Sequence, residues 1–382
     1  MSDTALTRTV LCAPSVNIET SAYVDSSVID RLVADTDGAV VRGQKTSTRE
    51  LIVHDAPGRG GRAASITLAT GHRFPDIPLG HRVYEVTSGS SANLANALDL
   101  LGCQDVGVVG AVGRGAGRQT LVMSLRAQGI KEFLLFRRKG GTARSLFLHE
   151  PSGIATGFSW KDQYDLSPEL LAQLKAQARP SVLACTGFLE YELPLVRALW
   201  EAQDPAGGEL VRILSPHVAC FATPGARKQC LELAAMADLF QLNEYEIGKL
   251  LEYEEDWILN SAKPDEVREI GKRVGSRVVC ITRAGQGSVA YDREHDLVIV
   301  QPAFPAEKVH NTVGAGDVHL ASLMWYLWLR GRHINLAAAL ELAGRICVTK
   351  ITHQSDTPRP WDGVPLSEIR KPWVREAEER HP

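Results

Sequence analysis

The 382-residue sequence has no apolar run of the roughly 18 residues that a membrane-crossing helix needs. Its longest candidate, Leu320 to Leu329 (LASLMWYLWL), would cross only half a bilayer. The start, MSDTALTRTVLCAPSV, lacks a basic segment followed by a long apolar stretch, so no secretory signal is read and a cytoplasmic location is expected. No C-x-x-C pair occurs. Cys12, Cys103, Cys185, Cys220, Cys230, Cys280 and Cys347 are odd in number, widely spaced and mostly set in apolar runs, which favours buried reduced thiols over disulfides or a zinc site. Excess charge is missing too. With 42 Lys and Arg against 45 Asp and Glu the net charge is -3, so the chain as a whole attracts neither nucleic acid nor an anionic membrane, and any phosphate site must be local. Internal repeats, heptads and low-complexity tracts are also absent.

What is present fits a folded chain with a large core: 44% hydrophobic and 23% charged residues, with 33 Gly and 19 Pro, exclude disordered and collagen-like classes. Apolar β-rich runs alternate with stretches of helical period. Strands are expected at Val10–Ala13, Asp105–Val109, Val182–Thr186, Val211–Leu214, Leu239–Leu242 and Val278–Thr282. Helices are expected at Ala92–Leu101, Leu170–Ala176, Leu195–Ala202, Arg227–Ala237 and Asp265–Val274, where apolar residues recur three and four apart. Continuously apolar strands are buried on both faces, so the expected fold is α/β, a doubly wound and mainly parallel sheet with helices on both faces.

Two segments break that rhythm. Residues 43–82 are rich in Gly, Arg and polar residues with short alternating runs at Glu50–His54 and Ser65–Thr70, and residues 142–160 read as two short strands around a Pro-Ser-Gly turn. Both suit loops or, together, a small β lid over a site at the strand ends. The expected division is a core of residues 1–42, 83–141 and 161–358, a lid of 43–82 and 142–160, and a Pro-rich, charged peripheral tail of 359–382.

The most informative stretch is Val309 to Leu327 (VHNTVGAGDVHLASLMWYL). Gly314, Ala315 and Gly316 have little side chain and precede an apolar helical segment, leaving backbone N–H groups of a helix N-terminus open to an anion. Asp317 falls in the first turn. A carboxylate beside an anion hole suits deprotonation of a hydroxyl as it attacks a phosphoryl group. The same residues equally suit a tight turn with a helix-capping Asp.

The segment Asn311 to Asp317 (NTVGAGD) resembles the D-T-x-G-A-G-D signature of the PfkB, or ribokinase-like, carbohydrate and nucleoside kinase family. Asn243 to Glu246 (NEYE) matches that family's N-x-x-E motif. Thr282 to Gly287 (TRAGQG) resembles its T-x-G-x-x-G nucleotide loop, with Ala284 for the first Gly. Ser88 to Gly102 (SGSSANLANALDLLG) resembles G-G-x-x-x-N-x-A-x-x-L-x-x-L-G, and Val109 to Ile130 the strand and helix that follow. These matches keep family order over about residues 10 to 350. The opening APSVNIETSAYVDSSVIDRL is most similar to the adenosine-kinase branch.

The resemblance implies an ATP- and Mg2+-dependent kinase acting on a small sugar or nucleoside, with Asp317 as base and the Gly314–Gly316 backbone stabilising the transferring phosphoryl. Asn243 and Glu246 would organise Mg2+ through water. Thr282, Arg283, Gly285, Gly287 and Thr312 would lie beside the nucleotide, and Asn17, Glu19, Gly89 and Asn93 would face the acceptor. Some relatives pair through an exposed lid, so a homodimer is a further expectation.

Departures fall mainly on recognition. Asn311 replaces the Asp that helps bind a monovalent cation in potassium-activated members, although an Asn still offers a carbonyl oxygen. Asn17 and Glu19 compete for the acidic substrate position of the first strand region. Gly115 and Arg118 stand at the Asp and final Gly positions of G-x-D-x-x-G. A non-catalytic descendant that binds a nucleotide or partner is the alternative these changes raise.

Other classes fit less. Val106 to Gly117 (VGVVGAVGRGAG) misses the strict dinucleotide fingerprint at Arg118, and no G-x-x-x-x-G-K-[ST] loop exists. The eleven His include no H-E-x-x-H pair, and His310 and His319 have no ligand-spaced partners. His319 and the Trp325, Tyr326 and Trp328 cluster read as packing.

Overall fold

A computed structural model describes residues 9–353 except 37, 57–60, 80–82, 115, 153, 162–172, 174, 202–209, 255–256, 261–262 and 330–334, together with 373, 374, 376, 379 and 380. The helix expected at 170–176 and most of the tail fall largely outside these residues. In chain order the strands begin with β1 (Val10–Pro14), β2 (Asn17–Tyr23), β3 (Lys45–Ala56), β4 (Gly61–Leu68), β5 (Arg73–Pro78), β6 (Val83–Ser88), β7 (Val106–Arg114) and β8 (Lys131–Gly141). They continue with β9 (Arg144–His149), β10 (Ala155–Trp160), β11 (Val182–Thr186), β12 (Val211–Ser215), β13 (Leu239–Asn243), β14 (Val278–Thr282), β15 (Ser288–Asp292) and β16 (Leu297–Gln301). The helices are α1 (Ser26–Ala34), α2 (Ser90–Leu100), α3 (Ala116–Ala127), α4 (Leu193–Glu201), α5 (Pro224–Ala235), α6 (Glu244–Leu251), α7 (Pro264–Val274), α8 (Ala315–Met324) and α9 (Leu336–Thr352).

A nine-stranded sheet, in the order β16-β15-β14-β13-β12-β11-β1-β7-β8, forms the body of the molecule. It is parallel from β14 to β8 and antiparallel only at β14–β15 and β15–β16. The six expected strands all lie in its parallel part. Their fully apolar character follows from burial on both faces: α2, α3, α8 and α9 pack one side through Leu94, Leu98, Leu121, Val318 and Leu342. On the other side α4, α5, α6 and α7 present Val196, Leu233, Ile247 and Ile270. Sequence chemistry bounds the helices, as in α7, with Pro264 in its first turn, Asp265 and Glu266 beside it, and Lys272 and Arg273 near the end. Gly275 follows at φ +83°, a conformation most side chains resist. None of the seven cysteines forms a disulfide, and five of them are buried.

The strand order turns at β1, with β7 on one flank and β11 on the other. Such a switch point opens a crevice at the strand C-termini.

Across that crevice lies a seven-stranded sheet, β5-β4-β3-β10-β9-β2-β6. Segments 43–82 and 142–160 contribute β3, β4, β5, β9 and β10, and two further strands, β2 and β6, complete it. β2 follows β1 after only Ser15 and Val16, and only Gly89 separates β6 from α2, so both connections between the sheets are short. A core of its own, including Leu51, Ile66, Leu146 and Phe158 with Ile29 and Leu32 of α1, holds this sheet together. Phe158 is fully buried there. Phe158→Ala should lower stability by about 3–5 kcal/mol, read from the denaturant midpoint, because truncation leaves a cavity in the core of this sheet.

Candidate active site

Strand alternation first brings Asn17, Glu19 and Ser21 to one face of β2. All three are buried. Glu19 accepts hydrogen bonds from Ser88 Oγ at 2.6 Å and Ser21 Oγ at 2.9 Å. Ser88 Oγ also lies 3.4 Å from Asn93 Oδ1, and Asn93 Nδ2 donates to Asp317 Oδ2 at 3.0 Å. A polar chain therefore runs from the second sheet, through the start of α2, to the start of α8. Asn17 Nδ2 donates to Ser145 Oγ at 3.2 Å, whereas its Oδ1 is buried with no hydrogen-bond partner. Gly89, at φ +98°, lets α2 begin against the main chain of Ser15: a Cβ there would lie 2.5 Å from the Ser15 carbonyl oxygen. Gly89 thus sets the position of Asn93.

Gly314, at φ +75°, caps α8; Ala315 N donates back to the Thr312 carbonyl at 3.1 Å, and the N–H groups after it open the first turn of the helix. Gly316 is exposed, and a Cβ added to it would meet nothing within 4 Å. The turn is braced from behind. Gln241 Nε2 donates to the Gly316 carbonyl at 2.9 Å while its Oε1 bonds His319 Nδ1 at 2.9 Å, and Cys347 Sγ reaches the Ala315 carbonyl at 3.2 Å. His319 is buried between Gln241 and Ser288, the packing role its isolation in sequence suggested.

Asp317 is half-buried at this turn. Loss of water raises its carboxyl to about 6, against the hydrogen bonds of Asn93 and Ser90 and the charges of Lys45 and Lys350, which pull it down. Lys45, at the start of β3, is pushed below the usual lysine range by burial, opposed by the charge of Glu19. Lys350 is 1% exposed near the end of α9 and donates to the carbonyl oxygens of Asn311, at 2.8 Å, and Val313. Burial lowers it to about 7, opposed by Cys347, Glu19 and Asp317.

The N-x-x-E and nucleotide-loop motifs meet through the sheet, where Asn243 and Thr282 are register partners on β13 and β14. Asn243 and Glu246 form a reciprocal cap on α6: Asn243 Oδ1 accepts from Glu246 N at 2.8 Å and Glu246 Oε2 from Asn243 N at 2.9 Å. Burial raises Glu246 to about 7, helped by the nearby charge of Asp317 and resisted by the Asn243 N–H. Gly287, at φ +90°, sits where a Cβ would collide with the Gln301 carbonyl, whereas Gly285 has open space. Thr312 is exposed beside the α8 turn. Arg283, expected beside the nucleotide, has its buried guanidinium turned onto the Leu259 carbonyl at 2.8 Å, Gln286 Oε1 and Glu244. It braces the loop that carries Thr282 and Gly285.

Sequence reasoning missed Lys45, Ser90, Gln241 and Lys350, none of which lies in a position its local pattern marks.

The family model described as pfkB family carbohydrate kinase matches residues 65–360. No curated protein matches the sequence. Among solved structures, adenosine kinase from Sinorhizobium meliloti is similar at 19% identity and TM-score 0.65, covering 97% of this chain and 100% of that one. Ribokinase from Giardia lamblia gives 15% and 0.65, with 98% and 99% covered. Phosphofructokinase-2 from Escherichia coli, in complex with potassium, gives 15% and 0.62, with 98% and 100% covered.

Proposed function

The chain belongs to the pfkB family of carbohydrate kinases, and from that premise we propose that it transfers the γ-phosphoryl group of ATP to a hydroxyl, most simply a hydroxymethyl, of a sugar or nucleoside. The observation that carries this reading is the Asn93–Asp317 contact beside the exposed Gly316: a positioned carboxylate adjoins an open helix N-terminus. In the reaction the acceptor oxygen attacks the γ-phosphorus, Asp317 takes the hydroxyl proton, and the bond to the ADP oxygen breaks. The N–H groups at Gly314 and Gly316 meet the charge that develops on the phosphoryl oxygens, while Ala315, expected to share that role, gives its N–H to the Thr312 carbonyl and shapes the turn. Asn93 fixes the carboxylate, and the orphaned Asn17 Oδ1 and the Glu19 carboxylate offer acceptors for further substrate hydroxyls. Lys45 brings positive charge from the second sheet, whose closure as a lid would exclude water competing with the acceptor.

Mg2+ suits the acidic side of this cleft. Glu246 keeps Oε1 beyond the mutual cap, and Asn243 Oδ1, already accepting from Glu246 N, has a second lone pair for a bound water; burial together with the Asp317 charge disfavours the ionised Glu246, which a nearby cation would favour. Mg2+ keeps much of its water shell and is held largely by water and substrate phosphate oxygens, so few protein ligands are needed. Bound there, Mg2+ would neutralise phosphate charge.

Acceptor-dependent ADP release from ATP and Mg2+ across nucleosides, pentoses, hexoses and hexose phosphates tests the function. Stimulation by one class identifies the acceptor; equal ADP release with and without every acceptor refutes it. Turnover should also fall as pH drops through about 6, because protonated Asp317 cannot accept the hydroxyl proton. A rate flat between pH 5 and 7, roughly a unit either side of that value, would contradict the assignment.

A further inference from the structure

The turn that presents N–H groups to the cleft must send some of its carbonyls the other way. Those of Asn311 and Val313 point to the interior, and both converge on one atom, the Nζ of Lys350. The same end of α9 also fixes the loop from its main chain, since the Ile351 carbonyl accepts from His310 N at 2.7 Å and Asn311 N at 3.3 Å. Two carbonyl oxygens around a buried positive charge are the coordination that a small monovalent cation would accept, supplied here by a tethered ammonium. Its charge lies close enough to stabilise the Asp317 carboxylate.

Resting on the kinase reading above, we infer that Lys350 is a built-in cation: its ammonium takes the place of a free monovalent ion against the Asn311 and Val313 carbonyls, positions the anion-hole turn and makes turnover independent of added potassium. Lys350 touches no reacting atom and acts through the turn. Arg is a poor substitute, because its broad planar guanidinium cannot sit as a point charge between two carbonyls. A flexible stem with a compact charge can.

The wild-type protein supplies the first test, without any variant. Turnover in potassium chloride and in tetramethylammonium chloride, whose cation is too large for such a site, should be equal; a rise of about tenfold or more with potassium overturns the proposal. Lys350→Met, checked for folding by circular dichroism, should lower kcat by about 100-fold with little change in the acceptor KM. In Lys350→Ala, ammonium or potassium ions should restore much of the lost rate while tetramethylammonium does not. A folded Lys350→Met with wild-type kcat, or a Lys350→Ala rate unmoved by every small cation, refutes the assignment. Hydrogen exchange separates this proposal from the kinase reading. Amides of residues 311–316 should exchange faster in Lys350→Met and slow again when Lys350→Ala is given ammonium, whether or not an acceptor is known; unchanged exchange counts against Lys350 alone, whereas wild-type protein inert to all acceptors counts against the kinase.

Discussion

Asp317→Asn should reduce acceptor-dependent turnover by about 10²- to 10⁴-fold while ATP still binds, because an amide of the same shape cannot take the hydroxyl proton. The Asn93 contact can persist, since an amide oxygen also accepts from Asn93 Nδ2. The same change should stabilise the protein at alkaline pH. A carboxyl held near 6 in the folded chain favours the protonated form there, so its stabilising contribution is complete below the unfolded value, near 3.8, and is lost as pH rises through about 6. At pH 8, about two units above that value, the ionised group therefore works against folding, by about 1–2 kcal/mol once its partial exposure is discounted. The substituted amide carries no charge to desolvate. Thermal melting at pH 8 should show the variant above wild type, and melting at pH 4, roughly the unfolded carboxyl value, should show the gap closed. Lost stability together with lost activity would instead mark Asp317 as a structural cap.

Gly316→Asp should have a comparable effect by another route. Its Cβ would enter open space, and an acidic residue in the first turn of a helix is favourable to the helix itself, so folding should be little changed. The new carboxylate would stand where the phosphoryl group approaches and would repel it. Turnover should fall by about 10²- to 10³-fold, the scale of losing an oxyanion donor, with weaker ATP binding measured by calorimetry. Gly316→Ala separates volume from charge and should lose far less. Equal losses for Ala and Asp would show that crowding, not repulsion, dominates at this turn.

The parts of this molecule legible from sequence are those whose information is local. Strands such as Val182–Thr186 declare themselves by continuous apolar character, and the family by the motif spacing of Asn243, Glu246 and Asp317. The second sheet is harder to read because its strands alternate between a core face and a polar cleft face, so β2 looks like part of the first strand region rather than a strand of a separate sheet. The partners of Arg283 and Lys350 are hidden for a different reason. A lysine late in a helix ordinarily reaches solvent, and only the packing of α9 behind the α8 turn, residues far apart in sequence, gives Lys350 its carbonyl partners. Arg283 likewise reads as a loop charge facing a nucleotide until Leu259 and Glu244 close around it.

The most direct test of the central claim is phosphorus NMR of the product formed from ATP, Mg2+ and the stimulating acceptor by wild-type protein and by folded Asp317→Asn. Wild type should form a phosphomonoester of the acceptor and the variant almost none, although calorimetry still shows ATP bound. The same ester formed at wild-type rate by Asp317→Asn would contradict it.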